Sequence, residues 1–491
     1  MTALRPGHDC WRIERAERAS VVIDAEDYYA AARQAMMAAK HQILLVGWDF
    51  DARILLSAKD DCPEAPDTIG ALLTWLVQRR PDLNIYILRW DKGAIKTLFR
   101  GSTLITLTRW RFFNPQIHLK LDGAHPVGAS QHQKIAVIDD CIAFCGGIDM
   151  TEHRWDTREH RDPEPRRRGV WGFAYKPWHD ATTALQGPVA AALGELCRAR
   201  WAIAGGASID PPPPTEGCWP TRLAEDFTDI DIAISRSQPE CGDQPKVLEI
   251  EQLYLGLIAR ARRHLYVESQ YFASRRIAEA IAKRLSEADG PEIVIVNPVK
   301  AQGVIEPIAM DSARARLMKV LTIADTHDRL RMYHPVTARG RGIYCHAKIL
   351  IADDEAIRVG SSNFNNRSLR LDTECDVTIE AGSEAERARI AAIRDGLLAE
   401  HLGVEPAAVA ALLADGGSLV AAVDALRGSG KTLIPYVLPR LGRFKRWLAD
   451  HEVLDPEGPE QMFTPIDERR GLVRGLRRRL RERRRGWYGR R

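Results

Sequence analysis

Apolar positions along the chain fall into two periods, and the two alternate. EDYYAAARQAMMAAK at 26–40 spaces them three and four apart, which predicts a helix; HQILLVGWDF at 41–50 follows as an apolar run short enough for a buried strand, and RPDLNIYILRW at 80–90 as a second. The order returns later, with helical EQLYLGLIARARR at 251–263 and strands in HLYVESQYF at 264–272 and GPEIVIVNP at 290–298. Each half then reaches a short apolar stretch, KIAVID at 134–139 or KILIAD at 348–353, that ends on an Asp-Asp pair and is followed by a second one, CIAFC or EAIRV. Two such stretches around Asp-Asp predict a hairpin. Helix, strand, helix, strand, hairpin, written twice, predicts duplicated α/β units.

The proline run in IDPPPPTEGCWPT at 209–221 forbids helix and central strand, so the units divide there. We expect a first unit over 1–205, a linker over 206–245, a second unit over 246–400, an Ala- and Leu-rich helical extension over 401–467 and an Arg-rich tail over 468–491.

Length and composition fit a globular chain of 491 residues with ample apolar content. Nine cysteines without a C-x-x-C pair indicate neither a disulfide framework nor a zinc ribbon, which predicts reduced thiols in a cytosol. No signal peptide or spanning helix is expected. The net charge of +4 is uneven: the tail holds twelve Arg and two Glu, which leaves a net −6 over 1–467. A body of mildly acidic balance argues against a protein that grips many nucleic-acid phosphates.

The hairpins carry the chemistry. Each opens with His-x-Lys, His132 with Lys134 and His346 with Lys348, and residues two apart on an extended stretch leave the same face. The motif closes at Asp139 and Asp353, which serve the chemistry or shape the turn. A single such match is usually accidental, whereas two copies on matching elements predict a site. Small residues follow, GGID at 146–149 and GSSN at 360–363, and these let backbone N–H groups approach an anion. Gly147, Ser361 and Asn363 are the supporting or phosphate-binding candidates there. Two imidazoles and two lysines around one phosphate support double displacement: one neutral His attacks phosphorus, while the other, protonated, serves the leaving alcohol and then the incoming one. A carboxylate on the far ring nitrogen of each His would fix its tautomer; Asp156 and Glu374 follow the motif aspartates at similar distances and are the candidates. The residues alone leave open which His is the nucleophile.

The paired motifs, with RWDTREHR at 154–161, PWHDATTALQGPVA at 177–190, YVESQYF at 266–272 and YCHAKILIADDEAIRVGSSNFNNRSLRLDTE at 344–374, resemble the phospholipase D superfamily, and within it the eukaryotic-type branch. The resemblance covers roughly residues 40 to 400. It implies two similar phospholipase D-like domains, each a mixed sheet flanked by helices, related by a pseudo-twofold and sharing one active site. It further implies His132 as nucleophile and His346 as acid/base, no required cofactor or metal, a phospholipid substrate, and hydrolysis at the distal phosphodiester with transfer to alcohols. One departure is Ser269, where the family's usual Asn precedes the QYF triplet; Gln270 and Glu268 remain as matching polar residues. A cardiolipin synthase and a superfamily nuclease are the alternatives.

Other features carry bland readings beside sharp ones. GSGKT at 428–432 lacks the earlier glycine and preceding strand of a nucleotide loop. Cys345 points away from His346. His179 in PWHD reads as structural, and Trp48, Asp49 and Tyr271 as strand ends near the site. In the tail, Leu472, Val473, Leu476, Leu480 and Trp487 share one helical face opposite arginines, the pattern of an interfacial helix on anionic lipid; nucleic acid or plain solvation fits the same charge less well. We therefore expect a cytoplasmic protein peripheral to membranes through this tail, with no nucleic acid and no obligate protein partner.

Overall fold

A computed structural model describes residues 3–56, 62–91, 109–110, 112–301, 306–439, 442 and 455, with backbone alone over 306–309. The Arg-rich tail and most of the chain after 439 lie outside these residues. The helix Ala25–Ala38 forms as its spacing predicts: Glu26 and Asp27 sit in its first turn, where negative charge suits the helix dipole, and Tyr28, Tyr29, Ala32, Ala35 and Met36 are buried. The strand Gln42–Gly47 follows and is buried over nearly its whole length, as a continuous apolar run requires.

Strands Gln42–Gly47, Asn84–Trp90 and Ile117–Asp122 run parallel. From Gln42–Gly47 the sheet continues antiparallel through Ile135–Ile138, Ile142–Gly146, Ala181–Gln186 and Arg12–Ile23. The second half repeats this order: His264–Glu268, Glu292–Val296 and Leu330–Val336 are parallel, and the path returns antiparallel through Ile349–Ala352, Ala356–Gly360, Glu374–Glu380 and Phe227–Gln238. The halves do not close as two separate sheets. Arg12–Ile23 pairs antiparallel with Phe227–Gln238, so one mixed sheet of 16 strands among the described residues runs through both, and a single apolar layer with residues of both halves crosses the junction.

Two expectations change here. The segment expected as linker over 206–245 supplies the twelve-residue strand Phe227–Gln238, whose Ile230, Ile232 and Ile234 are buried at period two. Its acidic alternate positions had hidden the strand. Cys141 and Cys218 form a disulfide between the first hairpin and the proline-rich segment, against the expectation of reduced thiols. Disulfides persist in oxidising compartments, so cysteine usage no longer favours a cytosol.

The extension expected as helical over 401–467 holds the helices Pro406–Leu413 and Leu419–Leu426 after Glu384–Leu402 ends, but also the strand Thr432–Pro435, which joins the sheet beside Leu330–Val336; most of 440–467 lies outside the described residues. Among the described residues no single helix is long and apolar enough to cross a membrane. The pair Glu384–Leu402 with Pro406–Gly416 passes on length and composition only across a 120° bend, and Leu397, Leu398, Leu402 and Val409 of that pair lie in the core.

Candidate active site

The Asp-Asp pairs are turns. Asp139, Asp140, Asp353 and Asp354 all take positive φ, between 51° and 63°, which a two-residue hairpin turn needs at both positions and which Asp tolerates better than most residues. Asp139 accepts the backbone N–H groups of Lys40, His41 and Gln42 at 2.6, 2.9 and 2.7 Å, and Asp353 those of Arg262, Arg263 and His264. The second aspartates grip helices: Asp140 pairs with Arg198 at 2.7 Å and Asp354 with Arg394. Asp139 and Asp353 therefore leave the list of catalytic residues. At about 3.3 Å per residue, each stands roughly 16 Å along the chain from its motif lysine, fixing the hairpin to the strand beside it.

The histidine ends of the hairpins cross to the opposite half. The His132 N–H donates to the Thr373 carbonyl at 2.9 Å and the His346 N–H to the His179 carbonyl at 2.7 Å. Each imidazole consequently meets a carboxylate from the other half. His132 Nδ1 is 2.8 Å from Glu374 Oε2, and His346 Nδ1 is 2.6 Å from Asp180 Oδ2, with both carboxylates fully buried. Glu374 stands where the spacing suggested. Asp156 does not: it is 3.0 Å from His160 and 2.9 Å from Arg167 and accepts the Trp178 N–H at 2.8 Å, and its place on the second histidine belongs to Asp180. Strand register explains this. Thr182 pairs with Gly146 and Asp376 with Gly360, so Asp180 and Glu374, each two residues earlier, are counterparts.

Gly147 and Ser361 serve these carboxylates rather than an anion. A Cβ on Gly147 would lie 2.2 Å from Asp180 Oδ1, and the Gly147 N–H donates to the Ala181 carbonyl at 2.8 Å. The Ser361 hydroxyl donates to Glu374 Oε2 at 2.5 Å, and its N–H is taken by Asp376 and Cys375. The backbone cradle expected of the small residues is thus spent internally. Asn363 is buried, and its amide oxygen has no hydrogen-bond partner among the described residues.

The cations remain for the anion. Lys134 Nζ donates to the His132 carbonyl at 2.8 Å and lies 3.4 Å from Asp149. Lys348 Nζ donates to the His346 carbonyl and to Gln270 Oε1 at 3.4 Å, while the Gln270 amide donates to the hydroxyls of Tyr271 and Tyr344. Burial, with Lys134 adding and Asp180 opposing, pulls Lys348 down to about 7. Burial also pushes His132 well below the usual imidazole range, helped by Lys134 and Lys348, and His346 likewise, helped by Lys348, Arg154, Lys134 and His132. Backbone pairing carries each motif to the other half, with Gln131 bridging Thr373 and Tyr344–Cys345 pairing with Trp178–His179. Burial first, and the neighbouring cations second, favour the neutral form of both imidazoles; an anionic substrate beside them would favour the protonated form of one.

Behind His346 lies a buried polar layer the sequence left as separate residues. His179 Nε2 is 2.7 Å from Glu268 and His401 Nε2 is 2.9 Å from it, and His160 reaches Asp156 and Glu400 at 3.0 Å each. Glu268 is therefore taken up by His179, His401 and the Tyr266 hydroxyl. Cys345 is buried, with burial pushing its thiol up, as a packed thiol should be.

The family model described as "Cardiolipin synthase, PLD-like domain" matches residues 254–391, the stretch with the second motif. Among curated proteins, phospholipase D alpha 1 of Carica papaya is 23% identical over 509 residues, covering 74% of this chain and 62% of its own length. Phospholipase D alpha 1 of Arabidopsis thaliana is 24% identical over 513 residues with the same coverage, and phospholipase D A of Dictyostelium discoideum is 25% identical over 419 residues, covering 71% of this chain and 31% of its own. The chain thus spans less than two thirds of the length of these relatives. The solved phosphatidylserine synthase of Haemophilus influenzae Rd KW20 shares the fold, with a TM-score of 0.55 at 14% identity over 78% of this chain and 86% of that one. These likenesses bear out the resemblance to the phospholipase D superfamily. The curated relatives lie on its eukaryotic-type side.

Proposed function

We propose that the chain is a phospholipase D-type phosphodiesterase that cleaves the distal phosphodiester bond of glycerophospholipids, giving phosphatidic acid and an alcohol, and that also transfers the phosphatidyl group to alcohols. The observation that carries this reading is the crossed pair of dyads, His132 with Glu374 and His346 with Asp180, each with its motif lysine bonded to the histidine's own carbonyl. Following the resemblance, His132 Nε2 attacks phosphorus and forms the N–P bond as the P–O bond to the headgroup breaks. His346, protonated at Nε2, gives that proton to the departing alkoxide. Water or an alcohol then attacks the phosphohistidine, its proton returns to His346, and His132 leaves as the neutral ring. Glu374 and Asp180 hold each proton on Nδ1, which leaves Nε2 free for these roles, and the lysines balance charge on the phosphoryl oxygens. No step needs a metal-bound hydroxide.

The acidic body supports a single lipid phosphate over a polymer of them. The basic tail, outside the described residues, would hold the enzyme to anionic lipid. The family model's description favours one second reading, a cardiolipin synthase-like phosphatidyltransferase. Product analysis with mixed phospholipids, with and without a primary alcohol, tests both. Phosphatidic acid, diverted to a phosphatidyl-alcohol, is expected; transfer only to phosphatidylglycerol supports the second reading, and absence of any lipid product refutes both.

A further inference from the structure

Between the Asp156 and Trp178 segments the chain makes an excursion that the catalytic account does not use. Residues 166–176, RRRGVWGFAYK, form a narrow hairpin closed by backbone bonds: Arg168 bridges Ala174, the Gly169 N–H donates to the Phe173 carbonyl at 2.9 Å, and the Gly172 N–H returns to Gly169 at 2.8 Å. Gly172 has φ +80°, a conformation the tight turn requires and a side chain resists. The base is anchored. Arg167 is buried against Asp156, and the Tyr175 hydroxyl donates to the Trp155 carbonyl at 2.7 Å. The tip is not. Trp171 is 70% exposed and Phe173 78%, and Leu55 beside them is exposed as well. Beneath the hairpin, Gly169, Val170, Gly172 and Tyr175 line a cavity of about 1170 Å³ together with residues of the helix Ala25–Ala38, and the Arg53 guanidinium lies 5.8 Å from the Trp171 ring, whose remaining surface is open.

Large aromatic side chains held out on a defined turn add nothing to folding and carry a risk of aggregation, and such patches mark contact surfaces. The charges around this one select the partner. Arg168 and Lys176 flank the tip and are exposed, and Arg168 bonds to the carbonyls of Pro165 and Gly172 rather than to an acid, whereas the neighbouring Arg166 is paired with Glu26 and Glu164. Aromatic tips ringed by cations suit the boundary of an anionic bilayer, where rings enter the headgroup layer and cations meet phosphate. We propose that the hairpin 166–176 seats the protein on an anionic phospholipid surface, with Trp171 and Phe173 entering the interface and Arg168 and Lys176 contacting lipid phosphates.

Its position gives this consequence for catalysis, resting on the lipid-cleaving reading above. Asp156, which holds Arg167 at the hairpin base, also holds the Trp178 N–H, and the Trp178 ring lies 4.9 Å from the His346 ring. A seated hairpin therefore sets the His346 side of the site at a fixed place near the surface.

The test uses the full chain with vesicles of phosphatidylcholine, with and without phosphatidylglycerol. The double variant Trp171→Ser, Phe173→Ser should bind the anionic vesicles on the order of tenfold more weakly or worse, since each ring removes apolar surface from water on insertion. Its turnover of a soluble, short-chain phosphodiester should stay unchanged. Brominated lipid should quench a fluorescence component that Trp171→Phe removes. Unchanged vesicle binding in the double variant, an unquenched Trp171, or no binding by the wild-type chain would each overturn the proposal. So would loss of a self-association, seen by sedimentation, in place of vesicle binding. A wild-type protein that binds through Trp171 but turns over no phospholipid would leave the surface standing and refute the proposed reaction.

Discussion

Replacing Asp180 by Asn changes one atom of the site and should remove most of its chemistry. Asp180 Oδ2 accepts from His346 Nδ1 at 2.6 Å, while Oδ1 accepts the Ala181 N–H at 2.9 Å, and neither oxygen sees solvent. In the asparagine variant the Ala181 N–H still needs an acceptor, so the amide oxygen stays there and the NH2 group faces Nδ1. The imidazole must then accept at Nδ1 and carry its proton on Nε2, the wrong tautomer for taking a proton from water or alcohol, with no carboxylate to stabilise the imidazolium. Loss of general acid/base function and of tautomer control together is worth about 10²–10⁴ in kcat, or roughly 3–5 kcal/mol of barrier. KM should move little, since the lysines are untouched. The control is Asp139→Asn, which weakens three N–H bonds to a carboxylate and should cost on the order of 2–4 kcal/mol of stability while kcat per folded molecule is retained. Steady-state turnover of a soluble phosphodiester, with urea unfolding of each variant, measures both. If Asp180→Asn kept more than a tenth of wild-type kcat, or Asp139→Asn lost as much as Asp180→Asn, the division between site and frame drawn here would be refuted.

Other outcomes follow from the same geometry. His132→Ala and His346→Ala should each abolish turnover, and the double variant should be no worse than either, because the two act in one sequence of steps; a single variant with more than a few per cent of activity contradicts a shared site. Burial holds His264 and His334 at about 4, below the 6.5 of a free imidazole. The native protein thus refuses protons that the unfolded chain accepts, so stability is full above pH 6.5 and falls as pH drops toward 4, by up to on the order of 3 kcal/mol per histidine. Unfolding midpoints that stay level over that range would contradict it. Chelator should leave turnover of a soluble substrate intact; a loss restored by added metal would show that the step needs one. Deleting residues 468–491 should lower activity on anionic vesicles and spare the soluble substrate, and equal loss on both would make the tail part of the fold.

Much of this was legible in the chain, and the reasons for the rest are physical. Apolar runs and Asp-Asp turns are local signals, so the hairpins and the strands Gln42–Gly47 and His264–Glu268 stand where the pattern put them. Phe227–Gln238 escaped because its exposed face is acidic and it follows a proline run, although its isoleucines alternate. Asp180 escaped because it was sought by counting residues from the motif. The hairpin 166–176 and its flanks intervene on one side only, and only strand register, Thr182 to Gly146 and Asp376 to Gly360, reveals Asp180 and Glu374 as equivalent. The small residues after each motif signalled close approach correctly, but what approaches is a buried carboxylate and not phosphate. The Cys141–Cys218 bond, 77 residues apart, has no spacing rule to announce it.

The central claim is that His132 and His346, from opposite halves, share one phosphoryl site and work through a covalent intermediate. Rapid acid-free quenching of the full chain with a radiolabelled soluble phosphodiester, followed by peptide mapping under alkaline conditions where phosphohistidine survives, tests it most directly. The account predicts an acid-labile phosphoryl adduct on one histidine of this pair, expected on His132, that is discharged in the wild type by added primary alcohol and that accumulates in His346→Ala when the substrate carries a nitrophenol leaving group, which needs no proton to depart. Turnover without any adduct, or an adduct on a residue outside the pair, would contradict it.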